Sequence, residues 1–261
     1  MTNQEVFVET KGTIAYLWLN RPEISNAFND ELIKEMTNLL NELDTDDRIR
    51  VVVLGGKGKH FCAGADMNWM RSMAAYSEAE NQADAKKLAN LLATLNSLSK
   101  PVIGRCQGAA FGGGVGLLAC CDMVVASDTS IFSLSEVRLG LTPATISPYV
   151  IEAIGPRQSR RYFLTAERFD SNVACDMGLV SEVTSEDQID ERIDFLIKQL
   201  LAGGPVAQSD AKVLIQRVSS DVDIDSRTAY TVDLIARQRI SSEGQNGLSA
   251  FLNKNKPGWS S

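Results

Sequence analysis

The sequence is short of histidine, and this shortage limits the chemistry that the chain can perform. Its 261 residues include a single histidine, His60. A Ser-His-Asp or Cys-His catalytic arrangement would have to use that residue, and no G-x-S-x-G sequence surrounds a candidate serine nucleophile. A metal site built from several histidines is excluded. We therefore expect no metal, a loop position without catalytic role for His60, and carboxylates as the proton carriers.

The chain also lacks the cysteine spacing of a disulfide framework or a zinc site. It has five cysteines, an odd number, and none belongs to a C-x-x-C pair. Unpaired thiols are typical of proteins from a reducing compartment. The first residues, MTNQEVFVET, show no basic segment followed by an apolar run, and no stretch is apolar enough to span a bilayer. We predict a cytoplasmic protein without a membrane partner.

Dense runs of lysine and arginine are missing as well. Asp and Glu number 33 against 26 Lys and Arg, which gives a formal net charge of -7. A surface that binds nucleic acid needs a basic patch, so we expect no nucleic-acid partner. An anionic ligand would require a locally basic pocket. With 44% hydrophobic residues, the chain is long and apolar enough to form a large core.

Hydrophobic periodicity predicts an α/β protein. The stretches VFVET and TIAYLWLN alternate like two paired strands with a turn at Lys11-Gly12, and IRVVVLGG is typical of a buried strand. The stretch NDELIKEMTNLLNEL has helical apolar spacing, with Asn29 or Asp30 as its N-cap. Further alternation of helices and strands favours parallel strands joined by crossovers.

The last part of the chain has a different pattern. From about Pro205 onward the apolar spacing is mostly helical, as in PVAQSDAKVLIQRV and SRTAYTVDLIARQRI. We therefore predict a core over residues 1–204 and a helical region over residues 205–261. Such helices could cover an active site or mediate assembly.

Two stretches rich in glycine and alanine each precede a predicted helix: FCAGADM (Phe61 to Met67) and AFGGGVG (Ala110 to Gly116). The first N–H groups of a helix lack partners within the helix, so two such ends facing one point can bind a developing oxyanion. Tight turns that pack a helix on a sheet would use the same residues. A G-x-G-x-x-A dinucleotide motif within GVGLLA is disfavoured because no acidic residue ends the next strand at the expected distance.

Several separated motifs resemble one family. The stretches RPEISNAFND, GKHFCAGADM, PVIGRCQGAAFGGGVGLLACCDMVVASD, SLSEVRLGLTP and GLSAFLNKNKPGW follow one another as in the enoyl-CoA hydratase/isomerase (crotonase) family, over nearly the whole chain. Within it, GGGVGL and EVRLGLTPATISPYV resemble most the bacterial methylglutaconyl-CoA hydratases of leucine breakdown. The resemblance implies an α/β fold with a crotonase-like ββα spiral core and a C-terminal helical trimerisation region, assembled as a homotrimer or homohexamer.

The resemblance also implies a catalytic site. The N–H groups of Ala65 and Gly113 would hold the thioester oxygen, and Glu136 would act as the acid and base that adds water to a 2-enoyl-CoA. Taken alone, Glu136 could equally be a solvated loop residue or an ion-pair partner of Arg138. Coenzyme A belongs to the acyl-CoA substrate, so no separate cofactor is expected. The residues implied for binding it are Glu23, Ile24, Ser25, Ala63, Phe251 and Lys254, the last two from a neighbouring subunit in many relatives.

Gly116 is the main departure from the family pattern. Typical hydratases carry a second glutamate at this position, whereas Δ3,Δ2-enoyl-CoA isomerases retain only the glutamate that matches Glu136. We expect Gly116 to leave room for a bulkier or branched acyl chain, or for a water held by other groups. Arg71 and Arg138 are candidates to bind a distal carboxylate of that chain, as in 3-methylglutaconyl-CoA, although ordinary surface ion pairs are an alternative. An isomerase, another lyase and a non-catalytic acyl-CoA binder remain the other candidate functions.

Overall fold

The structure, a computed structural model, describes residues 4–219 and 223–260. Within those residues the chain forms strands and helices that alternate over most of its length. The strands are β1 (Val6–Lys11), β2 (Ile14–Leu19), β3 (Val51–Gly56), β4 (Val102–Cys106), β5 (Ala109–Phe111), β6 (Met123–Ser127), β7 (Ile131–Ser133), β8 (Phe169–Asp170) and β9 (Glu182–Thr184). The helices are α1 (Asp30–Thr45), α2 (Met67–Met73), α3 (Glu78–Asn96), α4 (Gly113–Ala119), α5 (Ser147–Thr165), α6 (Ser171–Asp176), α7 (Ile189–Ala202), α8 (Pro205–Ser219), α9 (Ile224–Ile240) and α10 (Ser242–Leu252).

The chain divides into two compact units. The first contains the described residues up to Leu98 together with Val102–Asp194, and the second contains Ser99–Pro101 and the described residues from Phe195 onward. The start of α8 coincides with Pro205, where the sequence pattern becomes helical. The division into residues 1–204 and 205–261 stays a prediction. No helix in the described ranges is both long and apolar enough to cross a bilayer.

The larger sheet of the first unit has six strands in the order β1-β2-β3-β4-β6-β9. Only the β1–β2 pair is antiparallel; the other four pairs are parallel, as the sequence pattern predicts. Lys11 pairs with Ile14, so the turn lies at Gly12-Thr13, one residue later than predicted. Gly12 has a φ of +60°, a conformation that glycine adopts at no steric cost.

The core of this unit lies where helices cover the sheet. All residues of β3 are buried, as expected of a parallel strand covered on both faces. The Asn29 side chain accepts a hydrogen bond from Leu32 N and caps α1, which confirms the first of the two predicted N-caps. The buried face of α1 consists of Leu32, Ile33, Met36, Leu40 and Leu43. Each such side chain stabilises the fold by about 1.5–3 kcal/mol through removal from water.

A small second sheet positions the loops that matter for function. Its strand order is β5-β7-β8, with β5 and β7 parallel and β8 antiparallel at the edge. Phe132 of β7 is fully buried and stacks on Phe169 of β8, with ring centroids 5.5 Å apart. The chain enters α4 directly after β5 and the 3₁₀ turn Glu136–Leu139 shortly after β7. The two loops therefore leave the sheet from the same end of a parallel pair.

The second unit consists of helices, as predicted. Ser241 caps α10, and the Glu243 carboxylate accepts hydrogen bonds from Val206 N at 3.0 Å and Ala207 N at 2.8 Å, at the N-terminus of α8. These contacts satisfy N–H groups that a helix start leaves without partners. The Trp259 indole N–H donates to Ala202 O at 3.0 Å. A trimerisation role for this unit stays a prediction.

Candidate active site

The chain segments around Cys62 and Ala110 run side by side, and both predicted oxyanion donors follow at the same end of this parallel pair. Cys62 forms a parallel bridge with Ala110, supported by Cys62 N to Ala109 O at 3.1 Å and Phe111 N to Cys62 O at 2.9 Å. Ala65 stands three residues after Cys62, and Gly113 stands three residues after Ala110. The parallel pairing therefore carries both residues to one edge.

The amide groups of Ala65 and Gly113 remain available there. Asp66 caps α2 through its carboxylate, which accepts from Asn68 N at 2.7 Å and Trp69 N at 3.3 Å. Gly112 caps α4 with a φ of +51°. Within residues 4–219 and 223–260, neither the Ala65 N–H nor the Gly113 N–H donates a hydrogen bond. Both N–H groups can therefore bind an oxygen of a ligand.

Phe28 contacts both donor segments. Its backbone N–H donates to Gly64 O at 2.8 Å, and its carbonyl accepts from Asp66 N at 2.8 Å. A Cβ atom on Gly113 would lie 2.5 Å from Cε2 of the buried Phe28 ring. A Cβ atom on Gly114 would lie 2.5 Å from the Cys62 carbonyl oxygen. The glycines are therefore required for close packing around the donors, in addition to leaving the ligand unobstructed.

Glu136 lies against the same turn. It opens the 3₁₀ turn that follows β7, and Gly112 N donates to Ser133 O at 2.9 Å. A Cβ atom on Gly112 would lie 3.1 Å from the Glu136 Oε1 atom, so the carboxylate faces the backbone next to Gly113. The structure thus brings together the three residues that the resemblance implies for catalysis.

The electrostatics of Glu136 favour proton transfer. Its Oε2 atom is buried and has no hydrogen-bond partner among the described residues. Burial raises the pKa of Glu136 above its usual value, and a hydrogen bond from its own backbone N–H offsets this only in part. A carboxylate with a raised pKa both takes and returns a proton closer to neutral pH.

The Ile146 side chain lies against Gly116. A Cβ atom at this position would lie 2.3 Å from Cγ2 and 2.8 Å from Cβ of Ile146. Ile146 is itself 2% exposed, just before α5. Its side chain fills the volume that a larger residue would need. An apolar side chain from another segment thus occupies the Cβ position of Gly116, and a roomier acyl pocket beside this residue stays a prediction.

The residues implied for coenzyme A in the first unit are neighbours. Ala63 N donates to Ser25 O at 2.9 Å, and Glu23 and Ile24 are exposed in the 3₁₀ turn just before Ser25. Buried Asn26 fixes this loop, because its side-chain amide donates to the carbonyl oxygens at positions 57 and 60 at 2.9 and 2.8 Å. The loop and the Ala63 backbone thus form one continuous surface, and their role with coenzyme A stays a prediction.

The remaining candidate residues are exposed. Arg71 lies on α2 and donates to Asn68 Oδ1 at 3.2 Å, and Arg138 lies two residues after Glu136 in the same turn. Neither guanidinium forms an ion pair with a residue in the described part of the chain. Phe251 and Lys254 are exposed at the end of α10 in the second unit, and their contact with coenzyme A stays a prediction.

The structure also contains an ion pair that supports the site and that the sequence pattern does not indicate. Arg21 Nη2 lies 3.0 Å from Asp66 Oδ2, and Arg21 Nη1 donates to Ala27 O at 2.7 Å. Burial alone would raise the pKa of Asp66, but hydrogen bonds from Asn68 N, Trp69 N and Arg21 outweigh it and hold that pKa below its usual value. The Arg21–Asp66 pair and the Ile146–Gly116 contact join residues far apart in sequence, which no local pattern reveals.

Comparisons with known proteins agree with this geometry. The sequence profile of the enoyl-CoA hydratase/isomerase family matches residues 9–261. The 2,3-dehydroadipyl-CoA hydratase of Escherichia coli is 32% identical over 97% of this chain and 97% of its own length. A peroxisomal Delta(3,5)-Delta(2,4)-dienoyl-CoA isomerase of Arabidopsis thaliana is 29% identical over 95% of this chain and 93% of its own.

A solved structure extends the agreement to the fold. The crystal structure of an enoyl-CoA hydratase from Shewanella pealeana has a TM-score of 0.96 and 39% sequence identity, and the match covers 99% of this chain and 97% of that one. The predicted crotonase-like α/β fold with a helical C-terminal region is therefore confirmed. The chain belongs to the enoyl-CoA hydratase/isomerase family and is an enzyme of the hydratase type.

Proposed function

We propose that this enzyme adds water across the double bond of a 2-enoyl-CoA thioester. The observation that carries the proposal is the position of Glu136: its carboxylate faces the Gly112 backbone, next to the available N–H of Gly113. A carboxylate beside an oxyanion site is the arrangement required to form and protonate an enolate. The reaction needs no metal and no cofactor beyond the coenzyme A of the substrate.

The N–H groups of Ala65 and Gly113 stabilise the developing negative charge. The thioester carbonyl oxygen accepts both hydrogen bonds, and these bonds strengthen as the carbonyl becomes an enolate oxygen. Each such donor contributes about 3 kcal/mol to the transition state. Because the donors are backbone groups fixed by the Cys62–Ala110 pairing, little reorganisation accompanies the reaction.

Glu136 handles both protons. It takes one proton from water as the oxygen bonds to Cβ of the enoyl chain, and the electron pair of the double bond moves toward the thioester oxygen. The protonated carboxyl then returns that proton to Cα, and the enolate collapses to the 3-hydroxyacyl product. Water is thus added in full and Glu136 ends unchanged. The raised pKa of Glu136 brings proton removal from water and proton return to Cα closer in energy.

Double-bond isomerisation is the second candidate, and the Gly116–Ile146 contact favours it. Ile146 occupies the place next to Gly116, so this position contributes no second carboxylate to hold water. A single base suffices to move one proton between two carbons of an enoyl chain. The discriminating experiment is the absorbance of the conjugated enoyl-thioester band after adding enzyme to crotonyl-CoA and, separately, to a 3-enoyl-CoA.

The outcomes of that experiment separate the candidates. A hydratase decreases the absorbance of crotonyl-CoA, whereas an isomerase increases that of the 3-enoyl-CoA. The Glu136→Gln variant should do neither at a comparable rate. No change with either thioester, despite binding, would contradict both proposals and favour a non-catalytic acyl-CoA binder.

The acyl chain of the substrate carries a distal carboxylate in our proposal, as in 3-methylglutaconyl-CoA of leucine degradation. The exposed guanidinium groups of Arg71 and Arg138 form no ion pair with a described residue, so they are available to bind an anion. The name of the E. coli relative, 2,3-dehydroadipyl-CoA hydratase, denotes an acyl group with a distal carboxylate. A substrate panel on wild type, Arg71→Met and Arg138→Met tests this. Equal turnover of charged and uncharged substrates by the wild type would contradict it.

The remaining proposals concern binding and assembly. Glu23, Ile24, Ser25 and Ala63 line the coenzyme A chain, and Phe251 and Lys254 reach its adenine and phosphates, within a homotrimer or homohexamer. Exposed apolar residues of the second unit, such as Ile240 at 81%, support an assembled state. Sedimentation analysis measures the assembly. None of the five cysteines, all of which lie in the described ranges, forms a disulfide, and this is consistent with a cytoplasmic location.

A further inference from the structure

His60 connects the two segments that carry the oxyanion donors. It directly precedes Phe61 on the segment that leads to Ala65, and its ring Nδ1 accepts a hydrogen bond from Ala109 N at 3.1 Å. Ala109 is the first residue of β5, which leads into the turn before Gly113. The sole imidazole of the chain therefore bridges the starting points of both donor segments.

We propose that His60 is a positioning residue of the oxyanion hole: its unprotonated Nδ1 holds Ala109 so that the Gly113 and Ala65 N–H groups converge on one thioester oxygen. This inference rests on the proposed function, since it assigns His60 a task only if those two N–H groups bind the thioester. His60 itself does not touch the reacting atoms.

The packing around His60 is tight. Gly108 has a φ of +61°, and a Cβ atom there would lie 2.1 Å from Lys59 O and 2.6 Å from His60 Nδ1. On its other side, His60 O accepts from the Asn26 side chain at 2.8 Å. Because the backbones of residues 59–60 and 108–109 approach so closely, loss of the His60–Ala109 hydrogen bond should shift the first residues of β5. The Cys62–Ala110 pairing still holds the segments together, so loss of the bond misaligns the donors without unfolding them.

The hydrogen bond requires the neutral imidazole. A backbone N–H can donate only to a ring nitrogen without a proton, so the His60 proton resides on Nε2. Burial, followed by the Lys59 ammonium, lowers the pKa of His60 below 6.5. Charged groups on the elements around His60 include Lys57, whose ammonium lies 3.6 Å from Glu9 Oε2, and Arg105, which donates to Gln107 Oε1. Arg105 is in turn paired with Asp190. The loop of Asn26, which donates to His60 O, also carries Arg21 and Glu23.

The pH dependence follows from the lowered pKa. At a pH well above this lowered pKa, the imidazole is neutral and accepts the hydrogen bond from Ala109. As pH falls through the pKa of the folded protein, protonation of Nδ1 removes the acceptor and the contact is lost. Activity should therefore decline on the acid side for a reason separate from the protonation of Glu136.

The test compares His60→Asn, whose Oδ1 can accept the same hydrogen bond without titrating, with His60→Ala, which removes the acceptor. We expect His60→Ala to lower kcat by at least about 10-fold with little change in KM, because a misplaced donor loses transition-state binding. His60→Asn should stay within about 3-fold of wild type and should lack the acid-side decline due to His60. The lone histidine also gives a single imidazole NMR signal, whose titration in wild type should match that decline.

A binding measurement separates this inference from the proposed function. The infrared carbonyl band of ¹³C-labelled butyryl-CoA, which cannot be hydrated, should shift to lower frequency on binding to wild type and His60→Asn, and shift less in His60→Ala. If wild type does not shift the band, the proposed oxyanion hole is wrong. If wild type shifts it and His60→Ala shifts it equally, only the role of His60 is wrong. Equal losses in both variants would show that the imidazole serves packing, which also overturns the inference. If His60→Ala does not fold, the pH profiles of kcat for wild type and His60→Asn still test the proposal. An acid-side decline that is identical in both would overturn it.

Discussion

Replacing Glu136 with glutamine should change activity and stability in opposite directions. Glutamine keeps the shape of the side chain against Gly112 but cannot take or return a proton. Loss of a positioned acid and base lowers kcat by about 10²–10⁴, which corresponds to about 2.7–5.5 kcal/mol of activation free energy. Binding of a saturated acyl-CoA should change little, because the Ala65 and Gly113 N–H groups remain.

The stability effect arises from burial. Burial raises the pKa of Glu136 above 4.5 in the folded protein, so the folded state binds the proton more tightly than the unfolded state. The contribution of Glu136 to the free energy of unfolding therefore falls as pH rises from 4.5 to the pKa of Glu136 in the folded protein, and is constant above it. Each tenfold difference in proton affinity between the two states corresponds to about 1.4 kcal/mol. Glutamine carries no charge, so the variant escapes this cost at neutral pH.

Urea unfolding at a fixed protein concentration between pH 4 and pH 8 measures the effect. Glu136→Gln should be more stable than wild type at pH 8, and the difference should disappear near pH 4. The matched control is Glu42→Gln at an exposed position on α1, which makes the same substitution away from the buried site. Retained turnover in Glu136→Gln, or a stability difference that is the same at both pH values, would refute the reasoning.

Three further changes test the surroundings of Glu136 and the binding of coenzyme A. Gly116→Ala should lower the free energy of unfolding in urea by about 1–2 kcal/mol. Ile146→Ala should destabilise the Gly116→Ala variant less than it destabilises wild type. Equal destabilisation of both would show that the two side chains do not clash. Gly113→Ala keeps the N–H but places a Cβ atom 2.5 Å from Cε2 of Phe28, so it should displace the donor and reduce turnover by about 10². Normal turnover in a folded variant would contradict a role for this N–H. Lys254→Ala should raise KM for the CoA ester more than for a pantetheine thioester, and equal increases would contradict phosphate binding.

Local patterns predict the elements of the first unit well. The alternating strands β1 and β2 and the helix α1 are predictable because their periodicity and caps are properties of neighbouring residues. The predicted turn is one residue early, since both Lys11-Gly12 and Gly12-Thr13 satisfy the alternation and only the backbone pairing decides. Gly12, with its positive φ, belongs to the turn in either case.

The site is only partly predictable from residue types. Glycine runs before helices indicate backbone donors, but Glu136 becomes a candidate only through the resemblance to a family, because a single glutamate in a loop has no distinctive spacing. Its contact with Gly112 joins residues that follow two strands of the small sheet. Such contacts depend on strand pairing, which the spacing of motifs along the chain does not specify.

The Gly116–Ile146 contact lies at the position where the resemblance implies a second glutamate in typical hydratases. A glycine in a helix costs about 1 kcal/mol relative to alanine, so its presence in α4 requires a compensating gain. The gain is the close approach of Ile146, whose Cγ2 methyl group lies 2.3 Å from the position of a Cβ atom on Gly116. A second carboxylate near Glu136 would disfavour ionisation of both groups, since like charges raise each other's pKa. With an apolar side chain at Gly116 instead, burial raises the pKa of Glu136 and its backbone hydrogen bond offsets this in part. In the proposed reaction, Glu136 then orients and deprotonates water without a second carboxylate at this position. Under the proposed function, the distinction between hydration and isomerisation therefore depends on how water is held beside the single carboxylate of Glu136.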